Sequence, residues 1–221
     1  MTSDSVRVLL ADDEEMIRHG VRLILRHADG IEVVGEAADG AEAVRLAAEL
    51  RPQVALVDIR MPVLDGLAAI EQLTALDPAP QVVMLTTFGD EENVTRALHA
   101  GATGFLLKDE GPQELISAVR AAANGDAVLS PGVTGTVIKR MLQGGGSPRP
   151  GAVDQRLAYL TEREREVLVM LGQGLANLEI GRQLGIGVGT VKTHVGAILE
   201  KTGCGSRVQA AVLAHQAGLT S

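Results

Sequence analysis

Val6-Arg7-Val8-Leu9-Leu10-Ala11-Asp12-Asp13 is a short apolar run that ends on two carboxylates. A run of this length bounded by polar residues reads as a buried strand. The pattern recurs. Val54–57 ends on Asp58, 82–85 on Thr86, and 104–107 on Lys108. A second strand at 31–37 lacks such an ending. Between the runs lie segments with helical apolar spacing, at 15–26, 41–51, 64–76, 91–100 and 112–124. Ile17, Val21, Ile24 and Leu25 show that spacing in the first of them. Five strands alternating with helices predict an α/β doubly wound, five-stranded parallel sheet of flavodoxin-like form. In such a sheet the strands point one way, so their carboxyl ends share one edge. Asp12, Asp13, Asp58, Thr86 and Lys108 would therefore meet in one crevice.

The second half has a different texture. Residues 131–142 carry one more helical pattern. Residues 143–151, QGGGSPRPG, break all periodicity and read as a linker. Thr161 and Glu164 fit a capping box before Val167, Leu168 and Leu171. Helices at 178–184 and 188–202 are joined by Gly185-Ile186-Gly187. Ser206 and Gln209 suggest another box, opening a last helix that runs to about 217. Four helices, two joined by a short glycine turn, describe a small all-α helix-turn-helix unit. The expected division is 1–128, a connecting segment 129–155, and 156–221.

Charge follows that division. Residues 1–142 hold 12 Lys/Arg against 22 Asp/Glu, and residues 156–221 hold 7 against 5. An acidic front and a mildly basic tail suggest modules with different partners. A single cysteine, Cys204, rules out an intramolecular disulfide. No apolar run approaches the ~20 residues that span a bilayer. These features predict a cytosolic chain with no membrane contact.

Two carboxylates about 4 Å apart repel by roughly 4 kcal/mol at an effective dielectric near 20. A cluster such as Asp12, Asp13 and Asp58 therefore predicts a cation. Oxygen donors without His or Cys favour Mg²⁺. The Lys108 ammonium and the Thr86 hydroxyl suit phosphoryl oxygens. Asp58 is the expected nucleophile, because carboxylates form aspartyl-phosphates. Asp65, Asp90, Glu91 and Glu92 read instead as helix caps and solvated helix starts. The alternation of Glu162, Glu164 and Glu166 with Arg163 and Arg165 reads as a solvated face.

The spacing Asp12-Asp13, Asp58-x-x-Met61-Pro62-x-x-Asp65-Gly66, Thr86 and Gly101-Ala102-x-Gly104-Phe105-x-x-Lys108 resembles the receiver domain of two-component response regulators. The runs 160–168, 174–180 and 189–195 resemble the LuxR-type DNA-binding domain. Together they make the chain similar to NarL/FixJ-type response regulators along nearly its whole length.

The resemblance implies a sensor histidine kinase that donates a phosphoryl group to Asp58. It implies Mg²⁺ held by Asp13, Asp58 and the backbone carbonyl of Arg60, with Asp12 assisting. Lys108 would pair with the phosphoryl group, Thr86 would swing toward it, and Phe105 would turn inward behind Thr86. In the tail, Lys192 would contact a base edge or phosphate of double-stranded promoter DNA. Thr193 would share its exposed face, Thr190 and His194 would position the backbone, and Arg182 and Lys201 would add attraction. A homodimer would form through Val208, Ala211, Val212 and His215 on the last helix. Gly187 and Ala176 stand where such domains usually cap with Ser or Thr. Gly189 and Gly196 lie inside the reading helix.

Rival readings are weaker. A phosphohydrolase needs a carboxylate two residues beyond its nucleophile, where this chain has Arg60. A dinucleotide fold needs a Gly-rich loop after the first strand, where it has Asp12–Glu15. A small-molecule sensor needs an aromatic pocket, and only Phe88, Phe105 and Tyr159 are aromatic. The remaining alternative is a receiver switched by partner or ligand binding without phosphorylation.

Overall fold

The computed structural model describes residues 5–87, 91–129 and 156–220. Phe88, Asp90, the expected helix at 131–142 and the linker at 143–151 lie outside the described residues.

The first unit alternates β1 (Val6–Ala11), α1 (Glu15–Arg26), β2 (Ile31–Ala37), α2 (Gly40–Leu50), β3 (Val54–Asp58), α3 (Gly66–Thr74), β4 (Gln81–Thr86), α4 (Glu91–His99), β5 (Gly104–Leu107) and α5 (Pro112–Ala123). The five-stranded parallel sheet is present. A two-residue strand, β6 (Val128–Leu129), extends it at one edge, in the order β2-β1-β3-β4-β5-β6. Gly104 makes room for that edge, since a β-carbon there would lie 2.2 Å from the Val128 carbonyl oxygen.

Alternation along each strand feeds two apolar layers. Leu9, Ala11, Val57, Met84 and Phe105 pack with Ile70 and Leu73 of α3 and Val94 and Ala97 of α4. Val8, Leu10, Leu56 and Leu85 pack on the other face with Leu25 of α1 and Leu115 and Val119 of α5. All five residues of β3 are buried, so both sheet faces are covered. β1 lies between β2 and β3, so chain direction across the sheet reverses there. Ligand crevices form at such a reversal, beyond the carboxyl ends of the strands. Asp12 and Asp58 end the two strands that flank it.

The tail packs α6 (Glu162–Gly172), α7 (Asn177–Leu184), α8 (Val188–Thr202) and α9 (Arg207–Gln216) around Val167, Leu168, Leu171, Ile180, Val191, Ile198 and Leu213. The Thr161 hydroxyl accepts from Glu164 N–H, and the Glu164 carboxylate accepts from Thr161 N–H, completing the expected box. Gly185 and Gly203 end α7 and α8 at φ 66° and 63°, where a side chain would be strained.

Three local expectations are corrected. Glu164 is buried, and both its oxygens accept from the Lys201 ammonium at 2.7 and 2.8 Å, so it is no part of a solvated face. The same bonds occupy Lys201, which was expected to attract DNA. At the start of α9 the Ser206 hydroxyl accepts from Gln209 N–H, but the Gln209 Oε1 returns to Gly205 N–H rather than to Ser206.

Candidate functional site

β1 delivers Asp12 to the crevice fully buried, and Asp13 beside it exposed. The first turn of α1 fixes Asp12, whose Oδ1 accepts from Glu14 N–H at 2.9 Å and whose carbonyl accepts from Arg18 at 2.6 Å. β3 delivers Asp58, with Oδ1 accepting from Ile59 N–H at 2.8 Å. Asp65 caps α3 through Ala68 N–H, as expected. Gly66 then lets α3 press on the Asp58 backbone, its N–H donating to the Ile59 carbonyl at 2.9 Å. β5 delivers Lys108, whose N–H donates to the Thr86 carbonyl at 2.7 Å and ties the two strand ends together.

The Lys108 ammonium is the centre of charge. It lies 2.7 Å from Asp12 Oδ2, 3.2 Å from Asp58 Oδ1 and 3.7 Å from Glu14 Oε1. The Lys108 ammonium faces four carboxylates when Asp13 is included. Burial pushes the Asp58 carboxyl above its ordinary range; Lys108 draws it back, and Asp12 adds to the rise. Burial alone would lower the Lys108 ammonium, but its hydrogen bond to Asp12 and the charges of Asp58 and Asp12 outweigh that, and it is raised.

Asp12, Asp13 and Asp58 each bring one carboxylate oxygen to within 4.8 Å of the others. Asp12 Oδ2 is buried, with the Lys108 ammonium 2.7 Å away. An all-oxygen, electron-rich set fits a hard divalent cation. A cavity of about 370 Å³ opens over these groups, lined by Asp13, Asp58, Arg60, Thr86 and Lys108. Thr86 is buried in its wall, and Phe105 is fully buried in the layer beneath the sheet. The predicted pocket residues are therefore together. Glu14, Thr87 and Asn93 join them and were missed. Glu14 and Thr87 adjoin predicted residues, which was their only signal; Asn93 arrives from α4.

Thr190, Lys192 and Thr193 are exposed on α8, and His194 is half-buried. Lys192 is occupied: its ammonium donates to the Ala123 carbonyl at 3.1 Å, on the first unit. Further bonds cross the same junction. Asn177 N–H donates to Asp126 Oδ1 at 2.9 Å, and the Asn177 amide donates to the Asn124 carbonyl at 2.6 Å. Arg207 donates across it to Asp126 and the Gly125 carbonyl, and within the tail to Asn177 Oδ1 at 2.7 Å and the Leu175 carbonyl. Gln209 Nε2 donates to the Leu98 and His99 carbonyls at 2.5 and 2.9 Å. Of the residues expected to dimerise, Val208 is buried, Ala211 and Val212 are half-buried, and His215 is exposed with its ring 3.0 Å from Thr220 Oγ1. Val208 stands outside the apolar core of the tail. No described helix is long and apolar enough to cross a membrane.

A carboxylate-lined crevice at the edge of a parallel sheet, joined to a helix-turn-helix unit, defines a DNA-binding regulator with a receiver. Comparison with known proteins agrees. The response regulator receiver domain family matches residues 8–120, and the bacterial regulatory protein luxR family matches 158–214. The transcriptional regulatory protein LiaR of Bacillus subtilis is 41% identical over 211 residues, covering 96% of this chain and 97% of the relative. The nitrate/nitrite response regulator protein NarL of Escherichia coli is 40% identical, covering 95% and 94%. The crystal structure of the response regulator ChrA, from a heme-sensing two-component system, superposes with a TM-score of 0.54 at 36% identity, covering 98% and 99%. The chain belongs to the response regulators that join a receiver domain to a LuxR-type DNA-binding domain.

Proposed function

We propose that this chain is a transcription factor of a two-component system, switched by a phosphoryl group on Asp58. The observation that carries the reading is Lys108, held between Asp12 and Asp58 beside three carboxylates that can share a cation. An oxygen of Asp58 attacks phosphorus. The O–P bond forms as the bond from phosphorus to the donor breaks, and the donor leaves with that electron pair. From a sensor histidine kinase the leaving group is the imidazole nitrogen. Asp13, Asp58 and the Arg60 carbonyl would hold Mg²⁺, with Asp12 assisting. When bound, Mg²⁺ neutralises charge on the carboxylates and the phosphoryl oxygens. Lys108 pairs with the new phosphoryl group, and Thr86 donates its hydroxyl to it. Phe105 fills the space behind Thr86. The chain performs no turnover on other substrates.

The output is binding of double-stranded promoter DNA by a homodimer in the cytoplasm. Lys192 and Thr193 meet the major groove, with Thr190 and His194 positioning α8. Val208, Ala211, Val212 and His215 supply the contact between copies. Residues 129–155 connect receiver 1–128 to DNA-binding domain 156–221. Capture of genomic DNA on the full chain, with and without acetyl phosphate and Mg²⁺, tests the reading. A discrete set of promoter fragments gained on phosphorylation is expected. Identical capture in both arms would favour a receiver switched by a partner or ligand instead.

A further inference from the structure

We propose that a second cavity, between α8 and the starts of β4 and β5, binds a small organic anion, a carboxylate on an apolar body. Binding there takes Lys192 from DNA. The competition rests on the proposed DNA surface; the site does not.

The cavity measures about 310 Å³ and lies at the sheet edge opposite the phosphoryl pocket. Small-molecule sites span about 300–1,000 Å³. Lys192, Val195 and Leu199 line it from α8 at helical spacing, so one helix face supplies a cation and an aliphatic wall beside it. Pro80, buried before β4, adds to the apolar part.

The lining offers donors. Arg207 is paired with Asp126, but the Lys192 ammonium meets only the Ala123 carbonyl among the described residues. That bond takes one of its three protons. The Thr103 hydroxyl donates to Gln81 Oε1 at 2.9 Å, which leaves the Gln81 amide nitrogen as a donor. Ser206 is buried, and its hydroxyl accepts from Gln209 N–H while keeping its own proton for another acceptor. Among the described residues, none of the lining carries a carboxylate, in a chain whose net charge is −8. A bound carboxylate would accept from Lys192 in a charge-assisted hydrogen bond. Its apolar body would cover Val195 and Leu199.

Gly196 keeps the space open. Glycine inside a helix costs stability relative to alanine. Packing does not ask for it here, because a β-carbon on Gly196 would meet no atom within 4 Å. The missing side chain instead leaves a gap in the α8 wall of the cavity.

The test is fluorine NMR on the full unphosphorylated chain with 4-(trifluoromethyl)benzoate, and with the matching neutral benzamide as control. The benzoate should bind saturably and about tenfold more tightly than the benzamide, the ratio expected for one hydrogen bond between charged groups. Lys192→Gln should bring the benzoate down to the affinity of the benzamide. Gly196→Leu and Ala79→Leu fill the cavity from opposite walls and should abolish binding, with melting curves like wild type. Saturating benzoate should lower wild-type capture of genomic DNA severalfold and leave capture by Ala79→Leu unaffected. Equal affinity for benzoate and benzamide, or unchanged binding in both filling variants, overturns the site. Displacement of the benzoate by an equal concentration of inorganic phosphate reduces it to a simple anion contact and overturns it as well. DNA capture that saturating benzoate leaves unchanged overturns the competition. The NMR arms use neither acetyl phosphate nor DNA, so the site is decided apart from the proposed function.

Discussion

A β-carbon on Gly66 would stand 1.9 Å from the carbonyl oxygen of Asp58. The first turn of α3 therefore sits directly on the backbone of the proposed phosphoacceptor. This contact explains the glycine after the cap Asp65. Gly66→Ala must push α3 away or displace Asp58. Overpacking of this kind costs about 1–3 kcal/mol. Chemical denaturation should show that loss, and Asp58 labelling by acetyl phosphate should slow in the folded variant.

Asp58→Asn should be more stable than wild type at neutral pH without divalent cation, because burial and Asp12 disfavour the charge on Asp58 more than Lys108 favours it. The change removes one buried charge from a cluster of carboxylates. The folded pKa of Asp58 is raised above 3.8, so the folded chain binds that proton more tightly than the unfolded chain. The penalty for the ionised group is fully present above the folded value. It fades as pH falls through that value toward 3.8. The advantage of Asp58→Asn should therefore shrink over the same acidic window, and melting curves against pH check this.

Glu164 behaves oppositely. Its hydrogen bonds from Lys201 come first in lowering its pKa, against desolvation. Its stabilisation is present above 4.5 and lost as pH falls through the lowered folded value. Glu164→Gln weakens the Lys201 contact and should cost about 1–2 kcal/mol at neutral pH. Urea unfolding of the tail, followed at pH 7 and at acid pH, should show the difference narrowing.

The pocket was legible because each of its main residues follows a strand, and strand ends are local signals. Asp12, Asp58, Thr86 and Lys108 needed only the βα alternation to be placed together. What escaped depends on partners far apart in the chain. Glu164 lies 37 residues from Lys201, and its charged neighbours gave the pattern of a solvated face. Asp126 and Arg207 lie 81 residues apart, and neither sits in a periodic pattern that would pair them. β6 is two residues long, too short to show alternation. Gln209 had the spacing of a capping box, but its amide found the end of α4 instead.

Lys192→Ala should weaken DNA binding across sequences and lower the salt slope of log affinity by about 1, as expected for one lost phosphate contact. The measurement is a titration of the phosphorylated chain at several salt concentrations. An unchanged slope with unchanged affinity would remove Lys192 from the DNA surface.

The central claim is that Asp58 accepts a phosphoryl group in a pocket completed by a divalent cation. Intact-mass measurement after incubation with acetyl phosphate tests it most directly, with Mg²⁺, with chelator, and with Asp58→Asn. A single added phosphoryl group, present only with Mg²⁺ and absent from Asp58→Asn, is the predicted result. Equal labelling of Asp58→Asn, or no labelling of wild type under any of these conditions, would contradict the account.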